Sequence, residues 1–138
     1  MKMAEPRPKI NIELTAFDRK VEGFALAILI LMWIGTMVFF ERLPEVIPSH
    51  FSLSGKADGF RDKTSIFFLP LIATIIYIGM TLINRHPHLY NYLSPVTSEN
   101  AQGIYTSATR MIRVLKLIII VIMSGVVTMI IKTALGNS

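Results

Sequence analysis

Glu45, His50, Asp58 and Asp62 fall within one stretch of the chain, and their side chains are of the types that do acid–base work or hold a metal. Zinc takes three or four nitrogen, oxygen or sulfur ligands, and a lone histidine among scattered carboxylates has neither a His-x-x-x-His repeat nor another established ligand spacing. His50 and Asp58 are the nearest approach to a metal pair. They define one alternative reading, a metal-binding sensor or metal-dependent enzyme. His86-Pro87-His88 offers two more imidazoles, but the central proline favours an extended surface turn. The chain has no cysteine, which excludes disulfide scaffolds, thiolate catalysis and Cys-ligated zinc or iron–sulfur sites. No cofactor is expected.

The elements that must position these residues are apolar. Only 17% of the residues are charged and the mean hydropathy is +0.54, where a soluble domain of this size is about a quarter charged. The apolar residues form three blocks rather than amphipathic stripes. Gly23 to Phe40 is free of ionisable groups, and at about 1.5 Å per residue it is long enough to span a bilayer core. Acidic residues precede it and no small-x-small cleavage site follows, so an uncleaved span is expected rather than a signal peptide. Thr64 to Asn84 is uncharged and contains Pro70, which predicts a local kink. Leu117 to Ile131 is shorter, but Lys116 and Lys132 can snorkel from its ends. The expected fold is an all-α membrane protein: three transmembrane helices, a folded polar loop between helices 1 and 2, and an interfacial helix before helix 3.

Lysine and arginine positions set the expected orientation. Lys2, Arg7, Lys9, Arg19, Lys20, Arg85, Arg110, Arg113 and Lys116 fall on one side, against Arg42, Lys56, Arg61, Lys63 and Lys132 on the other. The positive-inside rule then predicts a multi-pass protein of the cell's inner (plasma) membrane, with a cytoplasmic N-terminus and an extracytoplasmic first loop and C-terminus. His86 and His88 lie a membrane thickness from His50 on this topology. The formal charge of +5 is assigned to topology and anionic headgroups, with no nucleic-acid partner.

Thr15-Ala16-Phe17-Asp18 has capping-box spacing, which starts the first helix near Ala16. Ile104, Ala108, Met111, Ile112 and Leu115 recur at helical spacing, with Thr106, Arg110 and Arg113 facing elsewhere; this predicts the interfacial helix, its arginines on headgroups. Pro6, Pro8 and Lys9 interrupt any regular element. Residues 1–13 are therefore expected as a flexible tail and residues 14–138 as a single three-helix membrane domain.

In the loop, Pro44 and Pro48 disfavour a helix, His50-Phe51-Ser52-Leu53 alternates polar and apolar, and Gly55 and Asp58-Gly59 are turn signals. A short extended piece and a tight turn are expected, folded back onto the helix ends. Structural roles suffice for the polar positions: Gly55 and Gly59 as positive-φ turns, Asp58 accepting backbone amides, Lys63 snorkelling, and His50 packed under the loop.

Leu43, Pro44, Ile47, Pro48, His50, Phe51, Gly55, Asp58, Gly59, Phe60 and Lys63 together resemble the signature of the domain-of-unknown-function family 1648. That family is a membrane domain found alone and at the N-terminus of Sdp-type immunity and signalling proteins of bacteria. A weaker resemblance through Asn84, Pro87, Tyr90 to Tyr92, Thr97, Glu99, Asn100 and Tyr105 extends it over residues 20–135. The larger immunity proteins carry a second membrane domain, which these 138 residues do not include. The resemblance implies a non-enzymatic bacterial membrane protein whose extracytoplasmic loop, built of those eleven residues, acts in recognition, in toxin immunity or envelope signalling. An extracytoplasmic peptide is the implied ligand. The spans hold no ionisable group between their flanking charges, which argues against transport or intramembrane hydrolysis. Small residues such as Gly35, Ala73, Gly79, Ser124 and Gly125 allow close helix packing, so the bilayer, a second copy or another membrane protein are the expected neighbours. A structural subunit of a membrane complex is the remaining alternative.

Overall fold

The computed structural model describes residues 5–136. The order of elements is α1 (Ala16–Phe40), β1 (Val46–Phe51), β2 (Ala57–Asp62), a 3₁₀ turn (Lys63–Phe67), α2 (Phe68–Ile83), a second 3₁₀ turn (Pro87–Leu89) and α3 (Ala101–Ala134). Three helical segments are long and apolar enough to cross a membrane: Ala16–Phe40, Lys63–Ile83 and Ala101–Ala134. Large apolar side chains such as Phe24, Leu31, Met37, Ile75 and Ile122 are exposed around the outside of the bundle. In water this would be an aggregation surface; against hydrocarbon it is the favourable arrangement.

The α1 helix begins where its cap predicts. The Thr15 amide donates to Asp18 Oδ2 at 2.9 Å and the Asp18 amide to Thr15 Oγ1 at 3.2 Å, so two orphan donors are satisfied reciprocally. Its inward stripe is Asp18, Val21, Ala25, Leu29, Met32 and Thr36, at steps of three and four. It ends just before Leu43-Pro44, a dipeptide that steers its first residue out of helical geometry.

The polar loop contains a sheet that the sequence reading treats only as an extended piece and a turn. Strands β1 and β2 pair antiparallel, with Val46 opposite Asp62, Ile47 opposite Arg61, Pro48 opposite Phe60 and His50 opposite Gly59. The register slips between Pro48 and His50 and again between His50 and Phe51, as β-bulges do. Leu43 and Ile47 are buried in the same core as Leu29, Met32, Ile66 and Ile120, so the hairpin is bolted to the bundle. Full burial of each contributes about 1.5–3 kcal/mol.

Pro70 does not kink a running helix. It occupies the first turn of α2, where a missing N–H leaves no helical carbonyl unpaired, and the irregularity lies upstream in the 3₁₀ turn Lys63–Phe67. Gly35, Gly79 and Gly125 would each accept a Cβ with nothing within 4 Å, so these three are not close-packing points inside one chain.

The interfacial helix expected before helix 3 runs into it without a break. Residues 101–134 form one continuous helix of 34 residues, roughly 51 Å long at 1.5 Å per residue, because no glycine pair or proline interrupts it between Ile104 and Leu117. Its rotation is opposite to the expected one: Met111 and Leu115 are exposed, whereas Tyr105, Thr109, Arg113 and Lys116 are buried. The apolar stripe faces outward and the polar stripe faces the bundle.

Residues 5–13 carry no helix or strand. They are nonetheless held: the Arg7 guanidinium donates to the carbonyls of His88 and Tyr90, and Tyr105 Oη donates to the Pro8 carbonyl at 3.0 Å.

Candidate functional site

The hairpin is closed at its base by the Lys63 amide, which donates to the Glu45 carbonyl at 2.9 Å, and by a Lys63–Glu45 ion pair at 3.0 Å. Lys63 Nζ also lies 5.2 Å from the centre of the Phe40 ring, a cation–π distance. At the tip, Gly55 has φ +79°, the left-handed conformation its turn requires, and its amide donates to the Ser52 carbonyl at 2.9 Å. Gly59 is different from the expectation. It is a strand residue without positive φ, and its role is clearance: a Cβ there would lie 3.0 Å from His50 Cβ.

His50 and Asp58 do come together, with Nδ1 and Oδ1 2.5 Å apart and both side chains largely exposed. His50 is thus not packed under the loop, and the Asp58 carboxylate meets an imidazole rather than turn amides. Two donors are one short of the fewest that protein zinc sites use, and among the described residues no group of three His, Asp or Glu side chains converges. Asp62 has a separate task. It caps the following 3₁₀ turn by accepting from the Thr64 hydroxyl and amide at 2.6 and 2.8 Å, and these bonds hold its carboxyl below the usual range.

Beneath the hairpin lies a groove of about 490 Å³ between the start of α2 and the end of α3. Its polar rim is Ser49, His50, Arg61 and Ser65, and its walls are Phe68, Leu69, Ile72, Val126 and Ile130. Leu43, Gly55, Asp58, Phe60 and Lys63 of the sequence motif do not line it; Ile47, Pro48 and His50 do.

At the opposite end of the bundle the structure holds a second polar centre, absent from the sequence reading. Arg110 Nε donates to Asp18 Oδ1 at 2.9 Å, and its Nη2 to Asp18 Oδ2 at 3.1 Å. Lys116 Nζ donates to Glu22 Oε2 at 2.6 Å and to Thr81 Oγ1 at 2.8 Å, with the Tyr77 ring centre 4.4 Å away. Arg113 lies between the two carboxylates, 3.9 Å from Asp18 and 3.5 Å from Glu22. The Lys116 side chain is 0% exposed. A charge so placed is tolerable only because it is paired and hydrogen-bonded, so the network ties α1 to α3 and α2. The signal was in the spacing: Asp18 and Glu22 are four apart, and Arg110, Arg113 and Lys116 are three apart, each set on one helix face.

The hairpin, its anchoring helix ends and the first turns of α2 are the part of the chain that comparison identifies. Residues 27–74 match the family "Domain of unknown function (DUF1648)". The DUF1648 segment thus contains every motif residue from Leu43 to Lys63, while the acidic half of the charge network and all of α3 lie outside it. An "Uncharacterized protein" of Archaeoglobus fulgidus is 32% identical over 69 residues, covering 44% of this chain and 38% of its own length. The chain therefore spans well under half of that relative. No solved structure matches.

Proposed function

We propose that this is a non-enzymatic, multi-pass protein of the inner (plasma) membrane, its N-terminus cytoplasmic, whose extracytoplasmic hairpin recognises a peptide or envelope partner. The observation that carries this reading is a folded, anchored hairpin with apolar side chains on its surface. Val46, Leu53 and Phe60 are exposed although Leu43 and Ile47 fasten the same element to the core. A rigid apolar surface at the membrane boundary supports recognition, since binding there costs little ordering entropy. The resemblance to Sdp-type proteins supports immunity to a peptide toxin as the specific case.

The test is challenge of cells lacking the protein with antimicrobial peptides, complemented by wild type, His50→Ala or Asp58→Ala. Loss of the protein raises sensitivity, and the two variants, which open the His50–Asp58 pair, restore it incompletely. Unchanged sensitivity throughout refutes immunity. Ser54→Cys and Ser98→Cys label from opposite sides of the membrane on this topology, and labelling of Ser54→Cys only from the cytoplasm overturns it.

A further inference from the structure

Arg61 is the one side chain of the hairpin whose placement the recognition reading leaves unexplained. In the β1–β2 register it stands opposite Ile47, so the two share a face of the sheet. Ile47 is 1% exposed and packed into the core, whereas Arg61 at the edge of that face is exposed. The carboxylates nearby are engaged: Glu45 with Lys63, Asp58 with His50, and Asp62 with Thr64. Among the described residues Arg61 has no ion-pair partner. An exposed guanidinium without a counter-charge, at the rim of an apolar groove, is free to take an anion.

The groove itself says where that anion comes from. Its rim carries Arg61 with the Ser49 and Ser65 hydroxyls, and its walls are apolar side chains of α2 and α3. Phe68 and Ile72 are also exposed on the outer face of α2, one of the segments apolar enough to cross a membrane, so the groove opens to the side of the bundle. Polar rim above, hydrocarbon walls below, at the level where a membrane helix begins: this is the profile of one lipid molecule from headgroup to chain. A planar fork of N–H donors matches a phosphate bidentately.

We propose that the groove under the hairpin is a binding site for one anionic phospholipid, its phosphate on Arg61 and its upper chain between Phe68, Ile72 and Val126. The site is distinct from the outward apolar surface of the hairpin. It holds for either orientation of the protein, so its failure and that of the recognition reading are separate events.

Native mass spectrometry of the detergent-purified full chain, given equimolar phosphatidylglycerol and phosphatidylcholine of matched chains, tests it. Wild type retains one phosphatidylglycerol with a preference of about tenfold, the ratio that 1.4 kcal/mol corresponds to. Arg61→Gln abolishes the preference and Arg61→Lys keeps part of it. Val126→Trp, which fills the groove and leaves Arg61 in place, loses the retained lipid; thermal unfolding of each variant verifies that it is folded. Excess glycerol phosphate leaves the adduct in place. Equal retention of both lipids, Arg61→Gln behaving as wild type, or displacement by glycerol phosphate overturns the proposal, the last by showing a headgroup site without a chain groove.

Discussion

Replacing Lys116 by methionine keeps most of the side-chain volume and deletes one charge from the network between α1 and α3. Three contacts vanish: the bond to Glu22 at 2.6 Å, the bond to Thr81 at 2.8 Å and the approach to the Tyr77 ring at 4.4 Å. Removing one member of a buried ion pair costs about 3–5 kcal/mol, chiefly because the other charge is left uncompensated. Glu22 is 24% exposed and keeps Arg113 Nε at 3.5 Å, which softens its isolation. The expected loss is therefore at the low end, about 3 kcal/mol. Adding Glu22→Gln removes the stranded charge, so the double variant should return to within about 1 kcal/mol of wild type. Denaturant titration in detergent micelles reads this out through Trp33, the chain's single tryptophan, which donates to Thr74 Oγ1 at 2.9 Å between α1 and α2. A loss below about 1 kcal/mol for Lys116→Met, or a double variant as unstable as the sum of the singles, refutes the reasoning.

Gly59→Ala brings a Cβ to 3.0 Å from His50 Cβ and should destabilise the hairpin by about 1–3 kcal/mol. Gly35→Ala, with nothing within 4 Å, should gain up to about 1 kcal/mol; hydrogen exchange of the hairpin amides separates the two. Asp62 makes a pH prediction. Its folded carboxyl is held below the ordinary value of 3.8 by Thr64, so its contribution is whole above that value and is lost as the pH falls through the lower folded pKa. Wild type and Asp62→Asn should thus differ in thermal unfolding at neutral pH and converge in acid; a gap that stays constant below pH 3.8 contradicts the assignment.

The three long apolar helices and the start of the first were legible in the sequence because they follow from length, composition and local chemistry: three uncharged blocks, and a cap at Thr15 whose residues are local to each other. The β2 strand was not, since Ala57-Asp58-Gly59 and Asp62 are poor strand formers whose pairing depends on Ile47 and Pro48 across the sheet. The turn at Gly55 was read correctly, whereas Asp58-Gly59 carries the same turn chemistry in a place where the chain instead needs room for His50. The charge network failed for a different reason. Helical periodicity with the polar face outward is a convention of water; here Met111 and Leu115 face out, and Arg113 and Lys116 face in. Of the candidate site, the His50–Asp58 pair was foreseeable from residue types. The groove was not, because Val126 and Ile130 are far from the loop in sequence and meet it only through helix packing.

The network also bears on the order in which the chain comes together. Asp18 and Glu22 leave the ribosome long before their counter-ions, which follow 92 and 94 positions later on α3. Through the synthesis of the hairpin and α2, the first helix carries two carboxylates whose partners do not yet exist. Its seat in the bundle is completed only when the last helix arrives, so the hairpin end of the molecule, whose pairing partners are neighbours in sequence, has its contacts available before the opposite end does.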